Sequence, residues 1–198
     1  MTAADLKAEP QLLLMRHAEC EKNQLDLMGG TSRGKLTNRG LRQLELLLEK
    51  SEVIAQVKAI FCSDRIQCIE TSKFVSEKLD INFEVDRLLE PLDLGVLSGL
   101  SIEEAKRSYP EAHQFMEKWR DNKADISDLM IPGMTDPSVF YRQGVHFLEK
   151  RASETGPYLV VATRSVLILL RNVWLKNEPG QGYKNFDFQN CQILELFN

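Results

Sequence analysis

The stretch Leu12–Gln24, "LLLMRHAECEKNQ", joins a short apolar run to a cluster of charged and polar residues. A short apolar run that ends in polar residues is typical of a buried strand, and the sequence therefore predicts a strand over Gln11–Met15. Arg16 and His17 follow at once, which places both side chains at the carboxyl end of that strand. Asn23 comes six residues after His17.

The rest of the chain alternates apolar, strand-like runs with amphipathic helical stretches. Buried strands that alternate with helices predict an α/β fold with three layers: a mostly parallel sheet with helices on both faces. No linker rich in Pro, Gly or Ser divides the chain, so residues 1–198 are predicted to form one domain, in which residues 86–137 form a lid-like insertion. The predicted strands are Gln11–Met15, Val57–Cys62, Asn82–Val85, Tyr158–Ala162 and Cys191–Phe197.

Three predicted helices are preceded by residues with short polar side chains, which are candidate N-caps. Thr37 opens the helical stretch that reaches Lys50, and Ser101 precedes Glu103 and Glu104. Ser63 or Asp64 is predicted to cap the helix that ends near Leu79.

Composition and charge exclude several classes of function. A net charge of -4 argues against a nucleic-acid binder, because such proteins usually carry a basic face. The four cysteines are scattered and form no C-x-x-C pair, so a zinc site is not expected and a reducing, cytoplasmic setting is. No signal peptide and no run long enough to span a bilayer is found, so no membrane partner is expected.

Ligands of parallel α/β sheets bind where strands turn into helices. The sequence places three segments at such strand ends: Arg16-His17, Ser63–Gln67 and Ala162–Ser165. A neutral imidazole is a competent nucleophile towards a phosphoryl group, and a neighbouring guanidinium can hold its oxygens. A His after a strand can equally be a polar turn residue, and both interpretations stay open on these residues alone.

Six stretches, in order along the chain, resemble those of the histidine phosphatase superfamily, the phosphoglycerate mutase-like proteins. "MRHAECEKN" resembles the signature R-H-G-E-[ST]-x-x-N, with Ala18 in place of the usual Gly. The resemblance covers roughly residues 11 to 197. The other five stretches are "GGTSRGKLTNRGLRQ", "FCSDRIQCIETSKFV", "LDLGVLSGLSIEEAKRSYPE", "YLVVATRSVLILLRNV" and "NFDFQNCQILEL".

This resemblance implies that His17 is phosphorylated transiently and that Arg16 binds the phosphoryl group. It implies a second Arg and a second His in the same pocket, an acid that protonates the leaving group, and neither metal nor cofactor. Glu90 is the best match for that acid, and Asp93 is a second candidate. The remaining residues that the resemblance and the strand ends assign to substrate binding are Asn23, Gly30, Thr31, Arg65, Gln67, Thr163 and Arg164.

Several positions depart from the family pattern. Gln67 stands where the second Arg belongs, and Thr163 stands where the second His belongs. Arg65 and Arg164 lie close by in sequence and could supply the missing charge, or could be solvated surface side chains.

Three functions follow from this pattern. The first is a pseudoenzyme whose phosphatase activity is weak or lost and which binds a phosphorylated small molecule or a phosphoprotein. The alternative is an active, metal-independent phosphomonoesterase that works through phospho-His17, with Arg65 or Arg164 compensating. The third is a scaffold whose pocket binds nothing. A homodimer is compatible with each.

Overall fold

A five-stranded sheet in the order β3-β2-β4-β1-β5 forms the centre of the protein. The computed structural model describes residues 12–29, 33–152, 156–178 and 186–197. The strands are β1 (Leu12–Arg16), β2 (Ala59–Cys62), β3 (Phe83–Val85), β4 (Tyr158–Ala162) and β5 (Ile193–Leu196). All neighbouring strands run parallel except β5, which is antiparallel to β1. The predicted α/β fold class is confirmed.

Helices cover both faces of this sheet. No sequence pattern predicted the helix at Glu21–Gln24, whereas the helices that end at Lys50 and Leu79 end where the sequence predicts. The described part of the chain contains seven α-helices. They are α1 (Glu21–Gln24), α2 (Asn38–Lys50), α3 (Ile66–Leu79), α4 (Ile102–Ser108), α5 (Pro110–Arg120), α6 (Pro137–Lys150) and α7 (Arg164–Trp174).

The two faces of β1 bury alternate side chains, as the pleat of a strand requires. Leu12 and Leu14 pack in one apolar cluster with α6 and α7 residues, such as Phe147 and Leu167. Leu13 and Met15 point the other way, into a cluster that contains Leu44 of α2 and Val75 of α3. Every residue of β1 is buried, which explains why the sequence of this strand is apolar without alternation.

The register between β1 and β4 aligns the carboxyl ends of the two strands. Arg16 lies opposite Ala162. The pairing continues one residue further, because the His17 backbone N–H donates to the Ala162 carbonyl at 3.3 Å. The residues that follow the two strands, His17 and Thr163, are therefore neighbours.

Two of the predicted helix caps are confirmed and one is wrong. The Thr37 hydroxyl accepts a hydrogen bond from the Gly40 N–H, and the Ser101 hydroxyl accepts one from the Glu104 N–H. Helix α3 begins later than predicted, at Ile66, with Arg65 as its N-cap residue. Ser63 cannot cap it because its backbone is still part of the sheet, where its N–H donates to the Val161 carbonyl.

Residues 86–137 pack against the main core. Leu89, Leu92 and Leu97 are almost completely buried and belong to the same apolar cluster as Leu12 and Leu14. Helices α4 and α5 lie in this segment.

None of the helices in the described ranges is both long and apolar enough to cross a membrane.

Gly40 fixes the distance between α2 and the loop after β1. A Cβ at this position would lie only 2.2 Å from the Glu19 backbone oxygen, and a backbone atom cannot move aside as a side chain can. We expect Gly40→Ala to lower the free energy of unfolding by about 3 kcal/mol, at the upper end of the usual cost of overpacking. This loss exceeds the gain of about 1 kcal/mol that Ala normally brings to a helix.

Urea unfolding measures that change. Gly29→Ala is the control, because a Cβ there would meet only a Leu94 methyl group at an ordinary contact distance of 3.5 Å. Equal stabilities of the two variants would contradict the prediction.

Candidate functional site

A cavity of about 430 Å³ opens at the carboxyl ends of β1 and β4. Its floor contains Arg16 and His17 from the end of β1, and Thr163 and Arg164 from the end of β4. Residues 91–120 form the opposite wall. The site lies where parallel sheets of this kind usually bind ligands.

The imidazole of His17 is held in one tautomer. Its Nδ1 lies 2.7 Å from the backbone oxygen of Ala18. A carbonyl oxygen only accepts, so Nδ1 carries the proton and Nε2 keeps a free lone pair. Burial, assisted by the positive charge of Arg16, lowers the pKa of His17 to about 3. The ring is thus neutral near pH 7, as a nucleophile must be.

Arg16 has donor capacity left over for a ligand. One terminal nitrogen donates to the Phe188 carbonyl at 2.7 Å, and Nε has no hydrogen-bond partner in the described part of the chain. Burial, and then the nearby charge of Arg164, lowers the pKa of Arg16 to about 10. A buried guanidinium that donates only to a carbonyl is suited to an incoming anion.

Two asparagines fix the loop that carries His17. Asn190 donates to the His17 backbone oxygen at 2.9 Å and to the Asn23 side-chain oxygen at 3.3 Å. The same Asn23 oxygen accepts from the Cys20 N–H, which starts the short helix α1. Asn23 and Asn190 both line the cavity. The sequence predicted Asn23 as a binding residue. It did not predict Asn190, for which the only indication was the Asn-Cys pair before the last strand.

Ala18 fits where the family signature has Gly. It is completely buried in the apolar cluster on the α2 and α3 side, and its N–H donates to the Thr71 hydroxyl at 3.1 Å. The methyl group is therefore packed and does not enter the cavity lining.

Lys22 lines the cavity, although no sequence pattern singled it out. Burial lowers its pKa, and so do the charges of Arg16 and Arg164. Among the described residues, the Lys22 ammonium has no carboxylate within ion-pair distance. We call Arg16, Lys22 and Arg164 the cation cluster.

Of the two arginines that could compensate for Gln67, only Arg164 reaches the cavity. Its Nε lies 3.2 Å from an Asp187 carboxylate oxygen, and 39% of the Arg164 side-chain surface stays exposed. Arg65 is not part of the lining; its Nε lies 3.2 Å from the neighbouring Asp64.

Gln67 and Thr163 occupy very different surroundings. Thr163 lines the cavity, and its hydroxyl lies 3.3 Å from that of Ser165. Gln67 is completely buried and lies outside the lining, and neither polar atom of its side chain has a partner in the described structure.

Neither predicted acid faces the cavity. Glu90 is exposed and lies outside the lining. The Asp93 carboxylate instead holds a turn together, accepting from the Ser98 hydroxyl at 2.5 Å and from the Gly95 N–H at 3.0 Å. Four residues separate Glu90 from Gly95, one more than in the spacing E-x-x-x-G of the family that the sequence resembles.

The wall opposite the cation cluster is mainly apolar. Leu92, Leu94, Met116 and Trp119 contribute to it. His113 also lines this wall, and its Nδ1 lies 3.7 Å from Glu117. No sequence pattern indicated that His113, in α5, faces a cavity.

Two predicted binding residues, Gly30 and Thr31, lie outside the described residues. In the described ranges, no group of three or more His, Cys, Asp or Glu side chains is arranged to hold a metal ion.

Comparison with solved structures supports the fold. A mycobacterial glucosyl-3-phosphoglycerate phosphatase superposes with a TM-score of 0.79 at 20% identity, covering 93% of this chain and 89% of that one. An alpha-ribazole phosphatase from Shigella flexneri gives a TM-score of 0.74 at 18% identity, over 92% and 87% of the two chains.

Sequence relatives match over shorter stretches. Phosphoserine phosphatase 1 of Hydrogenobacter thermophilus is 30% identical over 102 residues, which is 51% of this chain and 47% of the relative. Phosphoglycerate mutase-like protein 4 of Arabidopsis thaliana is 25% identical over 124 residues, 62% of this chain and 51% of the relative. The chain thus spans about half the length of these two relatives. The family model of the histidine phosphatase superfamily, branch 1, matches residues 12–196, and the chain belongs to that superfamily.

Proposed function

We propose that the protein binds phosphate monoesters in this cavity and hydrolyses them slowly through a phosphohistidine at His17. One observation carries the proposal: the cation cluster surrounds a buried, neutral imidazole. Arg164 is paired with Asp187, but Arg16 and Lys22 have no carboxylate within ion-pair distance among the described residues. A phosphate dianion would offset the mutual repulsion of these two cations.

The chemistry follows from the tautomer of His17. The Nε2 lone pair attacks phosphorus, a P–N bond forms, and the P–O bond to the leaving group breaks with its electron pair on oxygen. The ring becomes positively charged, and the Nδ1–H bond to the Ala18 carbonyl stabilises that charge. Water then attacks phosphorus, which frees inorganic phosphate and restores the imidazole.

Slow turnover is the expected consequence of what the pocket lacks. Gln67 cannot neutralise charge, and Thr163 replaces an imidazole that would donate to the transferring group. Arg164 supports the proposal because it reaches the same cavity and is close enough to Arg16 to lower its pKa. Phosphoryl transfer depends mainly on positioning and charge neutralisation, so partial compensation preserves part of the rate.

The second candidate is binding without turnover, as expected of a pseudoenzyme. Thr163 favours it, since its hydroxyl lines the cavity and can hydrogen-bond a phosphate oxygen but carries no charge. Gln67, buried outside the lining, supplies no charge either. The ligand would be a phosphorylated small molecule or a phosphoprotein.

Hydrolysis of p-nitrophenyl phosphate between pH 5 and 8 separates the two candidates. We expect slow turnover by the wild type and none by His17→Ala. The double variant Gln67→Arg/Thr163→His should gain about 100-fold, because one preorganised donor is worth about 100- to 1000-fold. A wild type as inactive as His17→Ala, with a double variant that gains activity, would establish binding without turnover.

Lys22 provides a test of anion binding that does not need catalysis. We expect Lys22→Gln to weaken binding of inorganic phosphate about tenfold or more, since a hydrogen bond to a charged group contributes about 1.5 to 3 kcal/mol. The phosphate-dependent rise in melting temperature measures this. Lys35→Gln, at an exposed lysine outside the cavity, should match the wild type. Equal affinities for all three proteins would contradict the cation cluster.

The buried His17 makes stability depend on pH. Its pKa is 6.5 when unfolded and about 3 when folded, so between these values only the unfolded chain binds the proton. Stability therefore falls as pH decreases below 6.5. From pH 7.5 to 5 this group contributes a loss of about 2 kcal/mol.

Urea unfolding at both pH values checks this slope. On acidification from pH 7.5 to 5, the free energy of unfolding of His17→Asn should fall by about 2 kcal/mol less than that of the wild type. His146→Asn is the control, because His146 is exposed on α6, and it should follow the wild type. A His17→Asn slope identical to that of the wild type would show that the imidazole is not held neutral.

A further inference from the structure

We infer that the preferred substrate is an aryl phosphate, a phosphate monoester whose leaving group is a phenol. This inference rests on the proposed function and adds to it the nature of the leaving group. Two features of the cavity carry it: the apolar wall formed by residues 91–120, and the position of both predicted acids, Glu90 and Asp93, outside the cavity lining.

The apolar wall suits a flat, apolar leaving group. Met116 and Trp119 of α5 share one side of the cavity with Leu92 and Leu94. Leu92, Leu94 and Trp119 are each more than nine-tenths buried, so these side chains belong to the core and have fixed positions. A phosphoryl group held at Arg16 directs the rest of the ester towards them. An aromatic ring gains free energy from such a surface, whereas a polyol or a second anion does not.

The charged side chains on that wall form one ion-pair network around Glu117. Glu117 lies 3.7 Å from His113 and 3.5 Å from Arg120, and also 4.0 Å from Lys106. The Glu117 carboxylate is therefore shared among three neighbours.

The second feature concerns protonation of the leaving oxygen. Glu90 is exposed outside the lining, and the Asp93 carboxylate is occupied by its turn. Of the described carboxylates, Asp26 and Glu117 line the cavity; Asp26 is exposed, and Glu117 is held in its network. Neither acid that the sequence predicts lies in the cavity, and we therefore expect the leaving group to depart as an anion. A phenol, with a pKa of about 10, does so far more readily than an alcohol, whose pKa is close to the value of about 15.7 for water.

The step balances without a protein acid. The P–N bond to His17 forms as the P–O bond to the aryl group breaks, and the electron pair leaves on the phenolate oxygen. The phenolate takes its proton from water. No oxidant, reductant or further reactant is involved.

Initial rates on a series of substrates test the inference. The series contains 2,4-dinitrophenyl, p-nitrophenyl and phenyl phosphate as aryl esters, and phosphoserine and glycerol 3-phosphate as alkyl esters. We expect kcat/KM to fall steeply as the leaving-group pKa rises. General acid catalysis contributes about 100- to 10,000-fold, so the alkyl esters should be at least about 100-fold poorer than phenyl phosphate.

A substitution tests the wall independently of the leaving group. Met116→Gln keeps the size of a half-buried side chain but makes it polar, and should raise KM for phenyl phosphate with little change in kcat. Met130→Gln is the matched control, because Met130 is 75% exposed and lies outside the cavity lining. Unchanged KM in Met116→Gln would overturn the assignment of the wall.

The outcomes separate this inference from the proposed function. Hydrolysis of 2,4-dinitrophenyl phosphate that His17→Ala abolishes, together with alkyl esters cleaved as well as aryl esters, would overturn the aryl preference and leave the hydrolytic function standing. No hydrolysis of any ester beyond that of His17→Ala would overturn both. Free phosphotyrosine and a phosphotyrosine peptide, compared in the same assay, distinguish a small-molecule source of the aryl phosphate from a protein one.

Discussion

The parallel pairing of β1 with β4 is the constraint on which the site depends. Its register sets Arg16 beside Ala162, and the next hydrogen bond joins His17 to β4. One slipped residue would turn the side chains of β1 to the wrong faces of the sheet and separate the two strand ends. The antiparallel strand β5 also contributes to the site, because the turn before it places the Asn190 side chain within hydrogen-bond distance of the His17 carbonyl. The backbone therefore positions the imidazole, and the side chains around it need only supply charge.

That arrangement places a basic ring where protonation is strongly disfavoured. His17 is buried, and its nearest charged neighbours are cations. In a site that bound nothing, this electrostatic repulsion would stay uncompensated, whereas a bound anion would offset it and so gain affinity. The loop after β1 holds the imidazole in place because its polar backbone groups are hydrogen-bonded. Ala18 is bonded to Thr71, Cys20 to Asn23, and His17 to both Ala162 and Asn190.

Sequence patterns predicted what the strands position and missed what the helices and turns position. Arg16, His17, Thr163 and Arg164 follow buried strands, and the ends of parallel strands meet at one edge of a sheet. Lys22 and His113 face the cavity because of how the four-residue α1 and the α5 segment dock, which is tertiary information that no local pattern contains. The same limit explains Glu90 and Asp93. One inserted residue changes the direction in which a turn presents its side chains, and spacing alone cannot reveal the new direction.

Compared with the family pattern of two arginines and two histidines, the cation cluster changes the geometry of the pocket more than it changes the charge. Lys22 and Arg164 restore positive charge that Gln67 and Thr163 do not carry, but a lysine ammonium is a compact point charge on a flexible stem. An arginine, in contrast, grips two oxygens at once and fixes their orientation. Affinity for a phosphate depends mainly on the summed charge, whereas the rate of transfer depends on in-line orientation at phosphorus. Under the proposed function, we therefore expect a pocket altered in this way to retain more of its binding than of its catalysis, with turnover that depends on esters whose leaving groups depart readily.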